Sequence, residues 1–208
     1  MKKIYLLSFL FLSSALVTIH AQNNIYSKYI NHPSINLRGA VVELGNINAD
    51  FPSDGYVVVH FDGECYAAVG DRIVVAASND GNWTSNDGNV GIENSMPGFG
   101  RPFSHTRVYP VTAGAHTFYA VGQNFVETEG SGIATIYGTL TVEYFPDSGS
   151  AKVESTGFVF NGDVTNTTVV KEQTISVNAP GKIVVRFDGF ITSSESDRIV
   201  LAASNTMN

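Results

Sequence analysis

The chain has 208 residues, 43% of them hydrophobic, and 12 Lys and Arg against 19 Asp and Glu give a net charge of −7. An acidic chain without a basic cluster is a poor match for nucleic acid or for an anionic membrane surface. A single cysteine, Cys65, excludes an intrachain disulfide, so stability must come from the core, and such a thiol is most often a small buried hydrophobe.

The first element is MKKIYLLSFLFLSSALVTIHAQ, in which Lys2 and Lys3 precede an apolar run from Ile4 to Ile19. It reads as a secretory signal peptide, residues 1–21, cleaved near Ala21, because the run is short for a bilayer span. Its removal leaves 10 basic and 19 acidic residues, a net −9. No later stretch is long and apolar enough for a transmembrane helix. The expectation is a secreted protein, extracellular or at the cell surface, without an integral membrane segment.

From there on no stretch of three turns shows a 3.6-residue period. Short runs rich in Val, Ile, Thr, Tyr and Phe alternate with Gly, Asn, Asp, Ser and Pro, the mark of strands and turns. Strands are expected over 37–44, 55–62, 71–78, 89–94, 104–111, 115–125 and 132–145, the last kinked or split at Gly138. Seven or eight antiparallel strands in about 110 residues make an all-β fold, a jelly-roll-like β-sandwich. This unit spans 22–146, and the stretch FPDSGSAKVES places a linker at 147–155.

SHTRVYPVTAGAHTFYAVGQNF is expected to form a hairpin, with Ala113-Gly114 in the turn and Phe118-Tyr119 in the aromatic-rich strand that follows. The segment resembles the jelly-roll domains of the C1q and tumour-necrosis-factor type, and the closing GTLTVEYF is similar to that family's last strand. The resemblance implies a secreted, non-enzymatic recognition module of a kind that often trimerises.

The chain also repeats itself. Residues 55–80 align without gaps on residues 181–206 at an offset of 126, with 14 of the 26 positions identical. Val57, Val59 and Phe61 match Ile183, Val185 and Phe187, while the alternating Tyr56 and His60 become Lys182 and Arg186. This is period-two patterning with one face inward. FDG at 61–63 and 187–189 is expected to end a strand and turn, and Asp71-Arg72 recurs as Asp197-Arg198 before the next strand. Asp62 and Asp71 therefore read as structural carboxylates that cap turns or pair with arginine. The second copy, residues 156–208, has no counterpart of 104–145, and a full copy would run to about residue 271. An incomplete second repeat is expected: either a truncated product with unpaired edges or a segment that adds its strands to a neighbouring chain and so builds a homo-oligomer.

The loop SNDGNWTSNDGNVGIE, residues 78–93, has three readings. In one, Asp80, Asp87, Asn89 and Glu93, with Asn82, offer hard oxygen ligands to Ca²⁺, although the spacing departs from an EF-hand at both Asp-Gly pairs. In another, Trp83 stacks on a sugar face while Asn82, Asn86 and Asn89 hydrogen-bond its hydroxyls, or the same ring plugs an open end of the sandwich. In the third, Asp80-Gly81 and Asp87-Gly88 are two consecutive turns, which accounts for the repeated SNDGN without a ligand.

Elsewhere the motifs are few. His60 is replaced by Arg186 in the second copy, which argues against an essential ligand, and His105 and His116 fall out of register for a shared metal. No nucleophile elbow, H-E-x-x-H or phosphate loop is present. Glu64, Glu127 and Glu129 join Asp62 and Glu93 as acidic residues for a hydrolase, with no spacing in its favour. Asn82-Trp83-Thr84 and Asn166-Thr167-Thr168 match the glycosylation pattern. The expected function is a secreted, non-catalytic recognition or adhesion module that binds carbohydrate or an extracellular protein through loops at one end. The alternatives are a structural subunit that donates strands to a neighbouring chain and, last, an extracellular hydrolase.

Overall fold

The computed structural model of the chain describes residues 24–83, 89–93, 98–125, 131–147, 152–156, 162, 168–177, 180 and 182–188. The expected signal segment lies outside the described residues. Eight strands follow in order: β1 (Ile25–Asn36), β2 (Val42–Phe51), β3 (Gly55–Ala67), β4 (Arg72–Ser78), β5 (Val90–Glu93), β6 (Arg101–Val111), β7 (Gly114–Asn124) and β8 (Ile133–Pro146). They form two four-stranded antiparallel sheets, β1-β8-β3-β6 and β2-β7-β4-β5. This is an all-β sandwich with jelly-roll strand order, as expected. Among the described residues no helix is long and apolar enough to cross a membrane.

The inward alternation of the strands builds the core. In β8 every second residue is buried, and Ala134, Ile136, Leu140, Val142 and Tyr144 meet Val57, Val59, Phe61 and Cys65 of β3. Phe51 stacks on Tyr144 with ring centroids 4.6 Å apart, and the Tyr144 hydroxyl donates to the Ser53 carbonyl at 2.8 Å. Burial, with Asp71 nearby, pushes the Cys65 thiol up to about 12, so it stays protonated at neutral pH and packs as a hydrophobe.

Strand order is set by distant partners. Each of the six ladders joins one strand of β1–β4 to one strand of β5–β8. The SHTRVYPVTAGAHTFYAV segment is accordingly no hairpin, since β6 pairs with β3 in one sheet and β7 with β2 and β4 in the other. Gly114, with φ of 114°, begins β7 just after the crossing, and the Asp54 carboxylate accepts from the Ala113 N–H at 2.9 Å.

Three expectations about strands are corrected. FDG neither ends a strand nor turns: β3 runs through it to Ala67, with Asp62 opposite Ser104 on one side and Thr139 on the other. Gly63 lies opposite Gly138, and a Cβ on Gly63 would stand 2.7 Å from the Gly138 Cα and press on the Tyr137 carbonyl oxygen. The glycine permits close strand approach. For the same reason β8 is continuous where a split was expected: a Cβ on Gly138 would stand 2.6 Å from the Asp62 carbonyl oxygen and 2.9 Å from the Phe61 ring, so its glycine serves close packing and does not break the strand. Finally, β1 and most of β2 were not expected as strands. In β1 the register shifts between His32 and Ile35, around Pro33, which an edge strand tolerates at a bulge.

Beyond Val75, opposite Val90, β4 has no ladder contact with β5. There the other sheet supplies the partners: His105 Nδ1 accepts the Ala77 N–H at 2.9 Å, and the Tyr109 hydroxyl donates to the Ala77 carbonyl at 3.3 Å. His105 is thus a buried structural acceptor, in a different sheet from His116.

Gly63→Ala is expected to lower stability by about 1–3 kcal/mol because backbone on the neighbouring strand cannot move aside. Gly45→Ala, whose added Cβ would meet only the flexible Ile30 side chain at 3.3 Å, is expected to change little. Thermal unfolding of both variants checks this, and equal midpoints would contradict it.

Candidate functional site

The loop after β4 begins as a turn. The Asp80 carboxylate accepts from the Ser78 hydroxyl at 2.8 Å and from the Asn82 N–H at 2.9 Å. These bonds, the Asn82 N–H foremost, hold the Asp80 carboxyl below the usual carboxylate range. Glu93 is opposite Arg72 in the β4–β5 ladder, with the side chains 3.3 Å apart. Because Asp80 is tied to Ser78 at the other end of β4, it is separated from Glu93 by about 20 Å of strand. The two are not brought together as calcium ligands. Among the described residues, no group of three His, Cys, Asp or Glu is placed to hold a metal. Asn86 and Asp87 lie outside the described residues, and Asn89 is half-buried just before β5.

Trp83 is half-buried and fixed. Its Nε1–H donates to the Gln123 side-chain oxygen at 3.0 Å, and its ring centroid is 6.1 Å from that of Phe125. The Gln123 amide in turn donates to the Gly39 carbonyl, and the Arg72 guanidinium sits 5.4 Å over Phe125. Val74, Ala76 and Val121 are buried outside the inter-sheet core, and alternation puts Gln123 on the same outer face as Val121. Trp83 therefore sits over the outer face of the β2-β7-β4-β5 sheet, where the expectation had a plug in an open end. Asn82, beside it, is exposed.

The repeated carboxylates are structural where they can be followed. Asp71 is buried and accepts from the Asn124 amide at 2.7 Å and from the Gly132 N–H at 3.0 Å, tying the β3–β4 turn to the start of β8. Asp62 is exposed and accepts from the Ser104 hydroxyl on β6.

A second constellation was not foreseen. Residues 182–188, the counterpart of 56–62 in the second copy, form no strand and are mostly exposed. Val59 and Phe61 are fully buried at 0% exposure, whereas their counterparts Val185 and Phe187 are 66% and 41% exposed. Arg186 lies against His60, with Nη1 3.1 Å from Nδ1, and the Ser104 hydroxyl is 2.9 Å from the Asp188 carboxylate as well as bonded to Asp62. Both contacts sit at the counterparts' own positions: Arg186 corresponds to His60, and Asp188 to Asp62. One hydroxyl proton thus faces two equivalent carboxylates. The constant offset was the available signal, but only the fold shows that the copies meet.

Trp83→Ala removes a hydrogen bond and the cover over the sheet, and is expected to cost about 1–2 kcal/mol; an unchanged unfolding midpoint would contradict the covering role. Burial first, then Arg186, hold the His60 ring below the ordinary value of 6.5. The stability that its neutral form contributes is present above pH 6.5 and is lost as pH falls below that value through the lowered folded one. Arg186→Ala should therefore show a smaller loss of thermal midpoint between about pH 7 and 5 than the parent. Superimposable profiles would contradict the contact.

No family model matches the chain, and no curated protein does. Among solved structures, the VP2 subviral particle of infectious bursal disease virus is similar at 12% identity over 61% of this chain and 34% of that one, with a TM-score of 0.39. The T=1 particles derived from the same virus match at 15% identity, over 60% and 32%, with a TM-score of 0.44. The chain spans about a third of the length of these structures. Likeness at this level carries no statement about what the present chain does.

Proposed function

We propose that the protein is a secreted, non-catalytic structural module whose second repeat segment joins it to another polypeptide by strand addition. The observation that carries this reading is the fate of the second copy. Ile183, Val184 and Val185, 60%, 78% and 66% exposed, repeat a strand that the first copy buries at the centre of its sheet. An apolar, strand-forming segment without ladder partners among the described residues favours pairing with another chain over solvation. The apolar run at 4–19 supports secretion, and the occupation of Asp62, Asp71 and Glu93 by structural partners supports the absence of catalysis.

Recognition of carbohydrate or protein at the Trp83 surface is the second reading. It rests on Phe125, which is 55% exposed beside Trp83 and so offers an aromatic face. Asn82, Asn86 and Asn89 belong to this reading as hydrogen-bonding side chains, and a Ca²⁺ ion bound near Asp87 and Asn89 belongs with it.

Light scattering during size-exclusion chromatography separates the two. The full chain is expected to associate with rising concentration, and a chain ending at residue 155 is expected to remain monomeric. A full chain that is monomeric at every concentration would overturn the assembly reading.

A further inference from the structure

At its middle the outer face of the β1-β8-β3-β6 sheet is polar. Because Val59 and Phe61 fill the core, their neighbours His60 and Asp62 point outward. The ladders set Thr106 and Thr141 on either side of His60, and Ser104 and Thr139 on either side of Asp62. Hydroxyls thus flank an imidazole and a carboxylate, and such a surface binds by hydrogen bonds and charge rather than by apolar area.

Arg186 and Asp188 of the second copy reach this surface. Arg186 Nη1 is 3.1 Å from His60 Nδ1, and the Ser104 hydroxyl is 2.9 Å from the Asp188 carboxylate. A guanidinium only donates, so a ring nitrogen of His60 accepts from it and the ring is neutral. His60 is 6% exposed although it belongs to the outer face, whereas Asp62 in the next row is exposed. The two contacts also fix direction. Arg186 meets the His60 row and Asp188 the Asp62 row, and two residues of strand advance about 6.6 Å, so the segment follows β3 in the same direction and in step with it. Ile183, Val184 and Val185 stay 60%, 78% and 66% exposed, so these three apolar residues do not anchor it.

We infer that this outer face is a recognition surface for a peptide segment with a basic residue two positions before an acidic one, and that residues 182–188 occupy it within the chain. The cation lies against the neutral His60 ring, and the carboxylate accepts from Ser104. The two charges are read together: Asp188 and Asp62 compete for the one Ser104 proton, and the guanidinium offsets the second negative charge. Spacing sets the selectivity, because only residues two apart in an extended chain point to the same side. A segment of a second polypeptide that carries the same pair displaces the internal one. The surface stands whether or not the chain assembles by strand addition, since it engages side chains on the face of the sheet and leaves the strand edges alone.

The probe is a fluorescein-labelled peptide of residues 182–188, followed by anisotropy as it is titrated into the full chain and into the full chain carrying Arg186→Ala and Asp188→Ala together, which opens the surface. A tethered segment competes at an effective concentration of about 1 mM, so with a Kd of about 0.1 mM for the opened chain the parent is expected to bind the peptide about tenfold more weakly. Adding Ser104→Ala, at an exposed position, to the opened chain is expected to weaken binding about tenfold. A peptide of the same composition with residues 186 and 187 exchanged, which sets the two charges on opposite sides of an extended chain, is expected to bind at least about tenfold more weakly. No binding to the opened chain at about 1 mM peptide would overturn the surface. Equal binding by parent and opened chain, or by the exchanged peptide, would place the peptide elsewhere and overturn it as well, and an unchanged Kd with Ser104→Ala would overturn the assigned contact. Light scattering of the same chains reports assembly separately, so neither reading can fail in the other's name.

Discussion

The backbone of a strand must find its hydrogen bonds sideways, and in this sandwich every sideways partner of the first four strands lies in the last four. The cooperativity of the unit follows from that constraint. Apart from β4 with β5, which follow each other in the chain, no local pair of strands can form first, because each of the other five ladders closes a long loop. The central pair, β3 with β8, shows how closely the two halves are matched. Gly63 and Gly138 face each other so that Phe61 and Phe103 can meet edge to face at 4.8 Å, and Tyr144 at the far end of β8 anchors both Phe51 and the turn before β3.

The same constraint explains why nearly identical sequences have different fates in one chain. Local propensity is equal in residues 56–62 and 182–188, since the alternation is preserved there position for position. What differs is the supply of partners. Propensity proposes a strand, and tertiary pairing decides it. His60 with Arg186 and Ser104 with Asp188 mark the point where the second copy rests against the first.

How much could be read from the sequence varied with the range of the interaction. The strand over 132–145 was legible because it alternates residue by residue between Gly132 and Pro146, and that over 71–78 because it is a continuous apolar run between Gly70 and Asn79; those over 104–111 and 115–125 were legible from their Val, Thr, Tyr and Phe content on either side of the TAG turn. FDG misled because its composition is that of a turn, while its glycine serves a close approach between strands that sequence alone does not bring together. The TAG segment misled in the same way: a tight turn between two strands reads as a hairpin, yet here it crosses between sheets. β1 was hidden by Pro33 and its bulge. At the candidate site, Asp71 was legible as structural from its recurrence, but its actual partners, Asn124 and Gly132, come from opposite ends of another loop. The Trp83 bond to Gln123 spans 40 residues and left no local trace; the Asp80 turn, being local, was written in SNDGN itself.

Amide hydrogen exchange followed peptide by peptide in the monomeric fraction of the full chain sets the two copies against each other within one molecule. If ladder supply decides the fold, amides of residues 57–61 exchange only through global unfolding, and those of residues 183–187 exchange at least about a thousandfold faster. Matched protection of the two segments in the monomer would mean that the second copy finds its ladder partners without a second polypeptide, and would contradict the account.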